Sequence, residues 1–365
     1  MSELEIAAGS IGLVFCDLQM PDVDGVEFVR YLVQSDFKGG LVLVSGEDQR
    51  ILQTAEKVAR GRNLNVLGAL QKPATAEQLQ RVLGAPAHSP PPFEPAVTQE
   101  ILRGRYGASQ LRRAIEGGQL VNYYQPKVEL ATGKFAGVET LVRWQHERDG
   151  LVLPEQFIFL AEEYGLIDSL TNNVLINALG QAREWRHAGL TMRLAVNVSM
   201  HNLTDMHFPD FVANLANDAG VSPASLVLEV TESKLMQDPL SCLDILTRLR
   251  LKGIGLSIDD FGTGHSSLAH LRDVPFNELK IDQGFVHGAW QDKSIKAIFD
   301  ASMSLARQLG IATVAEGVED RADWNFLREA KCDLAQGYFI GIPMPGDQLP
   351  EWINDWQDRD LAADT

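Results

Sequence analysis

The sequence predicts two α/β domains, a small N-terminal domain and a larger C-terminal TIM-like (β/α)8 barrel. Apolar, strand-like runs alternate with helical patterns along a chain of 365 residues, which is long enough for two domains. Strands that alternate with helices imply parallel sheets. A proline-rich stretch divides a short alternating region from a long one. The long region holds about eight strands in about 250 residues, as a TIM-type barrel requires.

The short region, residues 1–84, contains three predicted strands and three predicted helices. The strands are expected at Gly12–Cys16, Leu41–Val44 and Val66–Leu70. The helices are expected at Val26–Leu32, Gln49–Ala59 and Thr75–Leu83. Five prolines follow within Ala85–Ala96, and such a stretch behaves as a semi-rigid spacer, so we place a linker at residues 85–97.

The long region defines a second domain at residues 98–355, followed by a C-terminal tail at 356–365. Its helical patterns include Ile167–His187 and Ile295–Leu309. The first two strands are joined by the turn Ala131–Lys134. The predicted strands are Tyr123–Leu130, Phe135–Trp144, Leu194–Val198, Val227–Val230, Leu256–Ile258, Glu278–Ile281, Thr313–Ala315 and Tyr338–Ile340.

Composition and charge exclude several classes of protein. The net charge is −17, and a nucleic-acid polymer as partner would need a basic footprint. No apolar run approaches the roughly 20 residues that span a bilayer, and no basic leader is present, so we expect a cytoplasmic protein without membrane contact. Three scattered cysteines are too few for a disulfide framework or a zinc site.

Polar side chains stand at or near the carboxyl ends of successive predicted strands of the long region. In a parallel barrel these ends converge on one face, where active sites are built. Any one of these acids alone is more often a helix cap or a surface residue, but their joint placement is hard to explain by packing. The residues are Glu139, Asn197, Glu229, Asp259, Asp260, Lys280, Glu316 and Gln336.

Five carboxylates and an amide in one barrel mouth would repel each other unless cations joined them. Mg²⁺ and Mn²⁺ favour carboxylate, carbonyl and water oxygens, and the adjacent pair Asp259–Asp260 can reach two ions. Two ions about 3.5–4 Å apart form the usual clamp for displacement at phosphorus. Lys280 could orient the nucleophile or stabilise developing charge. This pattern favours a metal-assisted hydrolase, while other barrel enzymes stay open.

Short motifs of the long region occur in the order typical of one known family. They are Tyr124–Lys127, Glu139–Trp144, Asn197–Ser199, Glu229–Glu232, Asp259–Gly264, Leu279–Asp282, Ala315–Glu319 and Gln336–Tyr338. Residues 102–345 therefore resemble the EAL domain. The resemblance implies hydrolysis of cyclic di-GMP to linear pGpG with two Mg²⁺ or Mn²⁺ ions, and a homodimer or higher homo-oligomer. We expect Ca²⁺ to inhibit, because it prefers looser coordination than Mg²⁺.

The resemblance also implies a role for each matching residue. Glu139, Asn197, Glu229 and Asp259 resemble the ligands of one ion, and Asp259 with Asp260 those of the second. Lys280 and Glu316 resemble the catalytic groups that hold the nucleophilic water, with Glu316 also counted among the metal ligands. Glu139 is counted among the catalytic residues as well as among the ligands. Gln125, Leu141, Arg143 and Gln336 resemble substrate contacts. The residues that resemble the family's loop between the metal site and the dimer contacts are Glu232, Phe261, Gly262, Thr263 and Gly264. In the family, this loop couples metal binding to dimer contacts.

Two positions depart from the family pattern. The family takes its name from Glu-Ala-Leu, which is Glu139-Thr140-Leu141 here, but the ligand position is kept. His265 follows Gly264 where an aromatic residue is commoner. The alternative function is a catalytically weak or inactive cyclic di-GMP-binding effector regulated through the N-terminal domain. A third reading is a protein-interaction role dominated by that domain. The retained ligand and lysine positions favour catalysis.

In the short region, Asp17 stands at the end of the first predicted strand within Cys16–Gly25, and Ser45 and Lys72 follow the next two strands. These residues resemble the phosphoacceptor, the hydroxyl position and the lysine position of a two-component receiver, a flavodoxin-like domain of response regulators that is phosphorylated by a sensor histidine kinase. A receiver normally begins with an earlier strand that ends in an acidic pair. The 16 residues before Asp17 provide only the strand Gly12–Cys16, which leads to Asp17 itself, and no acidic pair. Either the receiver begins upstream of Met1 or it is degraded. We therefore interpret residues 1–84 as an incomplete receiver, in which Asp17 is not expected to accept phosphate.

Overall fold

The computed structural model describes residues 11–18, 20, 25–35, 37–46, 52, 55, 56, 59–84, 106–231, 239–262 and 274–359. The chain divides into two compact units, Met1–Thr98 and Gln99–Thr365. This division lies beside the predicted domain boundary. The predicted linker at 85–97 falls outside the described residues and stays a prediction.

The N-terminal unit contains a parallel sheet in the strand order β1-β2-β3. The strands are β1 (Leu13–Asp17), β2 (Gly40–Ser45) and β3 (Asn65–Gln71), and the helices are α1 (Gly25–Gln34) and α2 (Ala76–Gly84). The central strand β2 is buried along its apolar run, as expected for a parallel strand covered on both faces. The sheet is compatible with the receiver prediction, and most of the predicted helix Gln49–Ala59 lies outside the described residues.

The larger unit is a closed barrel, which confirms the predicted TIM-like fold. Its ring order is β4-β12-β11-β10-β9-β8-β7-β5, and β5 pairs again with β4. The ring strands are β4 (Leu120–Glu129), β5 (Phe135–His146), β7 (Arg193–Asn197), β8 (Leu226–Thr231), β9 (Gly255–Phe261), β10 (Glu278–Ile281), β11 (Ala312–Ala315) and β12 (Leu334–Gln336). Two short strands extend the sheet, β6 (Gly150–Val152) beside β5 and β13 (Met344–Pro345) beside β4.

One ring strand departs from the all-parallel pattern. β4 is antiparallel to both of its ring neighbours, β5 and β12, whereas the other adjacent ring strands are parallel. The reason is the short connection between β4 and β5, which residues 130–134 provide. A turn of this length can close a hairpin, but a parallel connection needs a crossover of a dozen or more residues.

Helices surround the barrel and bury one face against it. The described helices of this unit are α3 (Ala108–Glu116), α4 (Ile158–Glu163), α5 (Ile167–His187), α6 (Phe208–Asp218), α7 (Pro239–Leu251), α8 (Lys293–Leu309), α9 (Arg321–Glu329) and α10 (Leu349–Gln357). The bounds of α5 match the prediction. α8 begins two residues earlier than predicted, because the Asp292 side chain accepts hydrogen bonds from the amides of Ser294 and Ile295 and caps the helix.

The predicted last strand, Tyr338–Ile340, is wrong. The barrel strand in this region is β12, and residues 337–340 turn away from the sheet. The backbone of Gly337 packs against the loop after β11, where an added Cβ would lie 2.2 Å from the amide nitrogen of Val318. Gln336 therefore ends a strand instead of preceding one.

The last helix of the barrel unit extends past the predicted domain limit. Helix α10 continues across residue 356, where the predicted tail begins, because the Trp356 side chain is buried in the barrel core.

Within the described parts of the chain, no helix has both the length and the apolar character needed to cross a membrane.

Candidate active site

The carboxyl ends of the barrel strands bring four acidic side chains around one buried lysine. Lys280 on β10 is 1% exposed and lies at the centre of the group. Its Nζ atom lies 3.4 Å from Oε2 of Glu139, 2.8 Å from Oε2 of Glu229, 3.0 Å from Oδ1 of Asp259 and 2.8 Å from Oε1 of Glu316. The parallel strands β5, β8, β9 and β11 deliver these acids to one end of the barrel, as the sequence predicts.

Burial makes the charges of this cluster strongly interdependent. The four acids hold the pKa of Lys280 well above its ordinary value, although burial opposes this. Burial and the charge of Glu139 raise the pKa of Glu229 to about 7. Burial likewise raises the pKa of Glu316. Burial would also raise the pKa of Glu139, but the nearby lysines and two amide donors outweigh it and lower that pKa.

A local distortion of β9 brings the two adjacent aspartates to the same place. In a regular strand, neighbouring side chains point to opposite faces of the sheet. Asp260 has a φ of 55°, a left-handed conformation that aspartate tolerates better than most residues, and the pairing of β9 with β10 shifts register nearby. Carboxylate oxygens of Asp259, Asp260 and Glu316 consequently lie within 4.8 Å of one another. Burial and then the charge of Asp259 raise the pKa of Asp260.

Three amide side chains orient the acid at Glu139. The Nδ2 atom of Asn197, at the end of β7, donates to Oε1 of Glu139 at 2.8 Å. The Nε2 atom of Gln336 donates to Oε2 of Glu139 at 2.7 Å and to Oε1 of Gln125 at 2.8 Å. The Nε2 atom of Gln125 in turn donates to the carbonyl of Gly341 at 3.1 Å. Both polar ends of the Gln125 amide are thus engaged within the protein.

The remaining predicted contact residues lie further along β5. Leu141 and Arg143 follow Glu139 at alternate positions and so share its face of the strand. Arg143 is buried, its Nη1 atom donates to the carbonyl of Val142, and its guanidinium lies 5.8 Å from the ring centroid of Tyr123. Burial lowers the pKa of Arg143, while Glu155 and Tyr338 oppose this.

Comparison with known proteins identifies the family of the barrel. Residues 108–343 match the family model described as EAL domain. The chain belongs to the EAL family. Its EAL domain has the mouth geometry described above, and EAL domains are metal-dependent phosphodiesterases.

Two curated relatives from Pseudomonas aeruginosa show how far the similarity extends. The bifunctional diguanylate cyclase/cyclic di-GMP phosphodiesterase MucR is 44% identical over 240 residues, which are 66% of this chain and 35% of MucR. The cyclic di-GMP phosphodiesterase RocR is 33% identical over 352 residues, which are 95% of this chain and 88% of RocR. The chain thus spans about a third of one relative and most of the other.

Solved structures agree with this membership. The phosphodiesterase of MucR in complex with c-di-GMP has a TM-score of 0.63 and 44% identity. The alignment covers 66% of this chain and 98% of the MucR chain in that structure. The cGMP-bound EAL enzyme Bd1971 has a TM-score of 0.64 and 28% identity, and covers 71% of each chain.

The side chains at the EAL mouth fit divalent cations. Oxygen atoms dominate the cluster, and hard cations such as Mg²⁺ and Mn²⁺ prefer oxygen ligands. The described residues of the mouth include no histidine or cysteine, which zinc sites usually contain. Burial and neighbouring negative charges raise the pKa values of Glu229, Glu316 and Asp260. A bound cation would stabilise the charged forms of these carboxylates.

The predicted coupling loop of the EAL domain is described only at its start. Phe261 is buried at the end of β9. Gly262 has a φ of 98° and packs so closely on Phe285 that an added Cβ would lie 3.0 Å from that ring. The predicted positions Glu232, Thr263, Gly264 and His265 lie outside the described residues.

One buried residue next to the site escapes the strand-end pattern. Lys127 lies within β4, and its Nζ atom is 2.6 Å from Oε1 of Glu229. β4 runs antiparallel to its neighbours, and Lys127 lies inside this strand and not after it. A search for polar residues that follow apolar runs therefore does not find Lys127.

In the N-terminal unit, the residues that resemble a receiver site lie near each other. The Lys72 ammonium forms an ion pair with Oδ2 of Asp17, which ends β1. Ser45 ends the neighbouring strand β2 and is fully buried. The arrangement is consistent with the resemblance, and the assignment as a receiver stays a prediction.

Proposed function

We propose that this chain opens cyclic di-GMP to linear pGpG by metal-dependent hydrolysis. The observation that carries the proposal is the convergence of Glu139, Glu229, Asp259 and Glu316 on Lys280 at the mouth of an EAL barrel. Two relatives with this activity in their names, and a relative whose structure holds c-di-GMP, support the same substrate.

We propose two cation sites, the first from the resemblance of its residues to the family's ligands and the second also from the proximity of its carboxylates. Glu139, Asn197, Glu229 and Asp259 would hold one cation, and Asp259 with Asp260 and Glu316 would hold a second. Mg²⁺ and Mn²⁺ are the proposed ions, because both accept compact oxygen ligand sets. Bound cations would polarise the phosphoryl oxygens and lower the pKa of a nearby water.

The chain's own side chains would position the reacting groups. Lys280 and Glu316, whose charged atoms are 2.8 Å apart, would orient the attacking water by donating and accepting hydrogen bonds. The water oxygen would form a bond to phosphorus while one bond to a ribose 3′-oxygen breaks. The 3′-oxygen leaves as a hydroxyl with the proton that water gives up, and the product keeps the phosphate on the 5′-oxygen. Arg143, with a planar fork that matches phosphate oxygens, would bind the diester from the β5 side. Gln336 would keep Glu139 in place through its 2.7 Å hydrogen bond.

Further roles are proposed for residues beside the cation sites and for the chain as a whole. Gln125 and Leu141 would contribute to the substrate surface. Homodimer or higher homo-oligomer formation, inhibition by Ca²⁺ and regulation through the receiver-like unit belong to the same proposal. A sensor histidine kinase would be the partner of that unit only if Asp17 accepts phosphate. A binding module without turnover is disfavoured, because each acid and the lysine of the mouth is present.

The proposal is tested by incubating the full chain with cyclic di-GMP and Mg²⁺ or Mn²⁺, and separating the products by chromatography. We expect pGpG from the unchanged chain and none from Glu139→Gln, which loses the charge that Asn197, Gln336 and Lys280 orient. Glu116→Gln is the matched control, because Glu116 is an exposed residue at the end of α3. Full turnover by Glu139→Gln, or no pGpG from the unchanged chain, would contradict the proposal.

A further inference from the structure

A ladder of alternating charges runs through the interior of the barrel beneath the active-site mouth. Its middle member is Lys127, which is 4% exposed. Its Nζ atom lies 2.6 Å from Oε1 of Glu229 and 3.6 Å from Oε1 of Glu278. Oε2 of Glu278, which is 2% exposed, is held by Nη2 of Arg193 at 2.8 Å. With Lys280 at the top, the ladder contains three cations and two anions in alternation.

Small residues on neighbouring strands make room for these long side chains. Branched aliphatic residues usually fill the interior of such a barrel. Here Gly137 and Ala195 line the same region, and a Cβ on Gly137 would lie 2.4 Å from the carbonyl oxygen of Arg193. Lys127 and Glu278 are almost completely buried, so their charges must be satisfied by ion pairs. Arg193, which is 43% exposed, ends the ladder at the solvent.

The two oxygens of Glu229 have different partners. Oε1 accepts from Lys127 on the side of the barrel interior, whereas Oε2 accepts from Lys280, which also contacts Glu139, Asp259 and Glu316. A carboxylate that is free to rotate could present either oxygen, or both, to a cation. Because Lys127 holds one oxygen away from the mouth, the carboxylate of Glu229 is fixed in one orientation.

We propose that Lys127 is a positioning residue that engages Oε1 of Glu229 and thereby presents Oε2 to a divalent cation at the mouth. This inference rests on the proposed function, in which Glu229 is a metal ligand. Lys127 would act from behind the ligand, without contacting the substrate. Partners behind metal ligands commonly change metal affinity or activity by about 10- to 100-fold when they are removed.

A merely structural role for Lys127 would predict a different result. In that case, loss of the ammonium would lower stability because Glu229 and Glu278 would lose a partner, but the remaining folded molecules would bind cations normally. The affinity of the folded chain for Mn²⁺ in the absence of nucleotide separates the two roles, since it requires no turnover.

The experiment measures free Mn²⁺ by electron paramagnetic resonance during titration of the full chain, with circular dichroism to establish that each variant is folded. Lys127→Met should weaken Mn²⁺ binding by about 10- to 100-fold. Lys127→Arg, which keeps a donor and the charge, should recover most of the affinity. Lys296→Met is the matched control, since Lys296 forms an exposed ion pair with Asp300 on α8, and its affinity should equal that of the unchanged chain.

Folded Lys127→Met with unchanged Mn²⁺ affinity would overturn the inference. If Lys127→Met does not fold, Lys127→Leu, which also lacks a donor, takes its place, and unchanged affinity in that variant is equally decisive against it. The proposed function fails separately: the unchanged chain would then bind Mn²⁺ but form no pGpG from cyclic di-GMP.

Discussion

At the scale of single residues, the buried side chains at the mouth of the EAL domain must balance each other's charges. A buried ammonium beside four carboxylates is favourable only because every member has a partner, and removal of one partner from such a network commonly costs about 3–5 kcal/mol. Lys280 therefore stabilises the folded protein, independently of any role in the reaction. Residues that contact substrate at the rim are freer to vary without loss of the fold.

Arg143 provides the clearest test of substrate binding at this scale. Arg143→Ala should raise KM for cyclic di-GMP by about 10- to 100-fold with a smaller change in kcat, because a charge-assisted, bidentate contact to a phosphate would be lost. Steady-state kinetics with Mg²⁺ measure both constants. Arg143→Lys, which retains the charge without the planar fork, should lie between the two. An unchanged KM for Arg143→Ala would reject the phosphate contact.

At the scale of secondary-structure elements, two deviations from ideal geometry shape the site. The left-handed residue Asp260 turns two adjacent acids of β9 towards one place. The hairpin of β4 and β5 inserts an antiparallel strand, which brings Gln125 opposite Glu139 and Lys127 opposite Gly137. Close approach of strands at Gly137 is part of the same arrangement, since any side chain there would meet the backbone of Arg193.

The close approach at Gly137 predicts a strong effect of a small substitution. Gly137→Ala should lower the free energy of unfolding by about 1–3 kcal/mol, because its Cβ forces the strands β5 and β7 apart. Urea denaturation followed by tryptophan fluorescence measures the change. Gly180→Ala within α5 is the matched control. Among the described residues, no atom outside the neighbouring helix backbone lies within 4 Å of the added Cβ, and a gain of about 0.5–1 kcal/mol is expected there. Equal stability of Gly137→Ala and the unchanged chain would contradict the predicted clash.

An ion pair between two segments predicts a pH dependence of stability. The Nδ1 atom of His287 lies 2.8 Å from Oδ2 of the buried Asp323 at the start of α9, with Glu319 and Asp320 nearby. The hydrogen bond with Asp323 raises the pKa of His287 above its ordinary value of 6.5. The resulting stabilisation is present in full below that ordinary pKa. It is lost as the pH rises through the raised pKa of the folded state.

The effect should be small, at most about 1 kcal/mol, because the His287 side chain is 48% exposed. The free energy of unfolding of the unchanged chain should fall between about pH 6 and about pH 8 relative to that of His287→Asn. Urea denaturation at both pH values measures the difference. Parallel pH profiles of the two proteins would show that the pair contributes nothing.

At the scale of the whole molecule, the barrel converts separate sequence motifs into one site. Residues from β5, β8, β9, β10 and the end of β11 contact Lys280 or its partners, although they are far apart along the chain. The net charge of −17 opposes the approach of an anionic substrate. Divalent cations at the mouth would supply the positive charge that the chain as a whole does not.

Cation binding should therefore stabilise the whole barrel. Mn²⁺ at a free concentration 100-fold above its Kd should add about 2.7 kcal/mol to the free energy of unfolding, which a rise in Tm reports. Ca²⁺ should also raise Tm but should inhibit hydrolysis in the presence of Mn²⁺, because it accepts looser coordination than Mg²⁺ or Mn²⁺. Asp259→Asn should reduce the Mn²⁺-dependent rise. Full rates with Ca²⁺ alone would refute the geometric argument.

Much of the site could be predicted from the sequence, because its chemistry follows a simple rule. Glu229 and Lys280 each belong to a short apolar strand near its carboxyl end, and in a barrel those ends meet. The barrel itself was predictable from the alternation of strands and helices, and the bounds of α5 and β10 match. The prediction at Tyr338–Ile340 failed, because an apolar run alone does not reveal that the backbone at Gly337 is packed against Val318.

The amino-acid sequence by itself determined the fold class, the family motifs and the acidic chemistry of the mouth, since these depend on residue type and local period. Only the tertiary structure decided that Asp259 and Asp260 share one side and that Lys127 holds the far oxygen of Glu229. These features depend on backbone direction and on contacts between distant strands. No local pattern of residues specifies them, because the same side chains could face either side of a strand until the barrel closes.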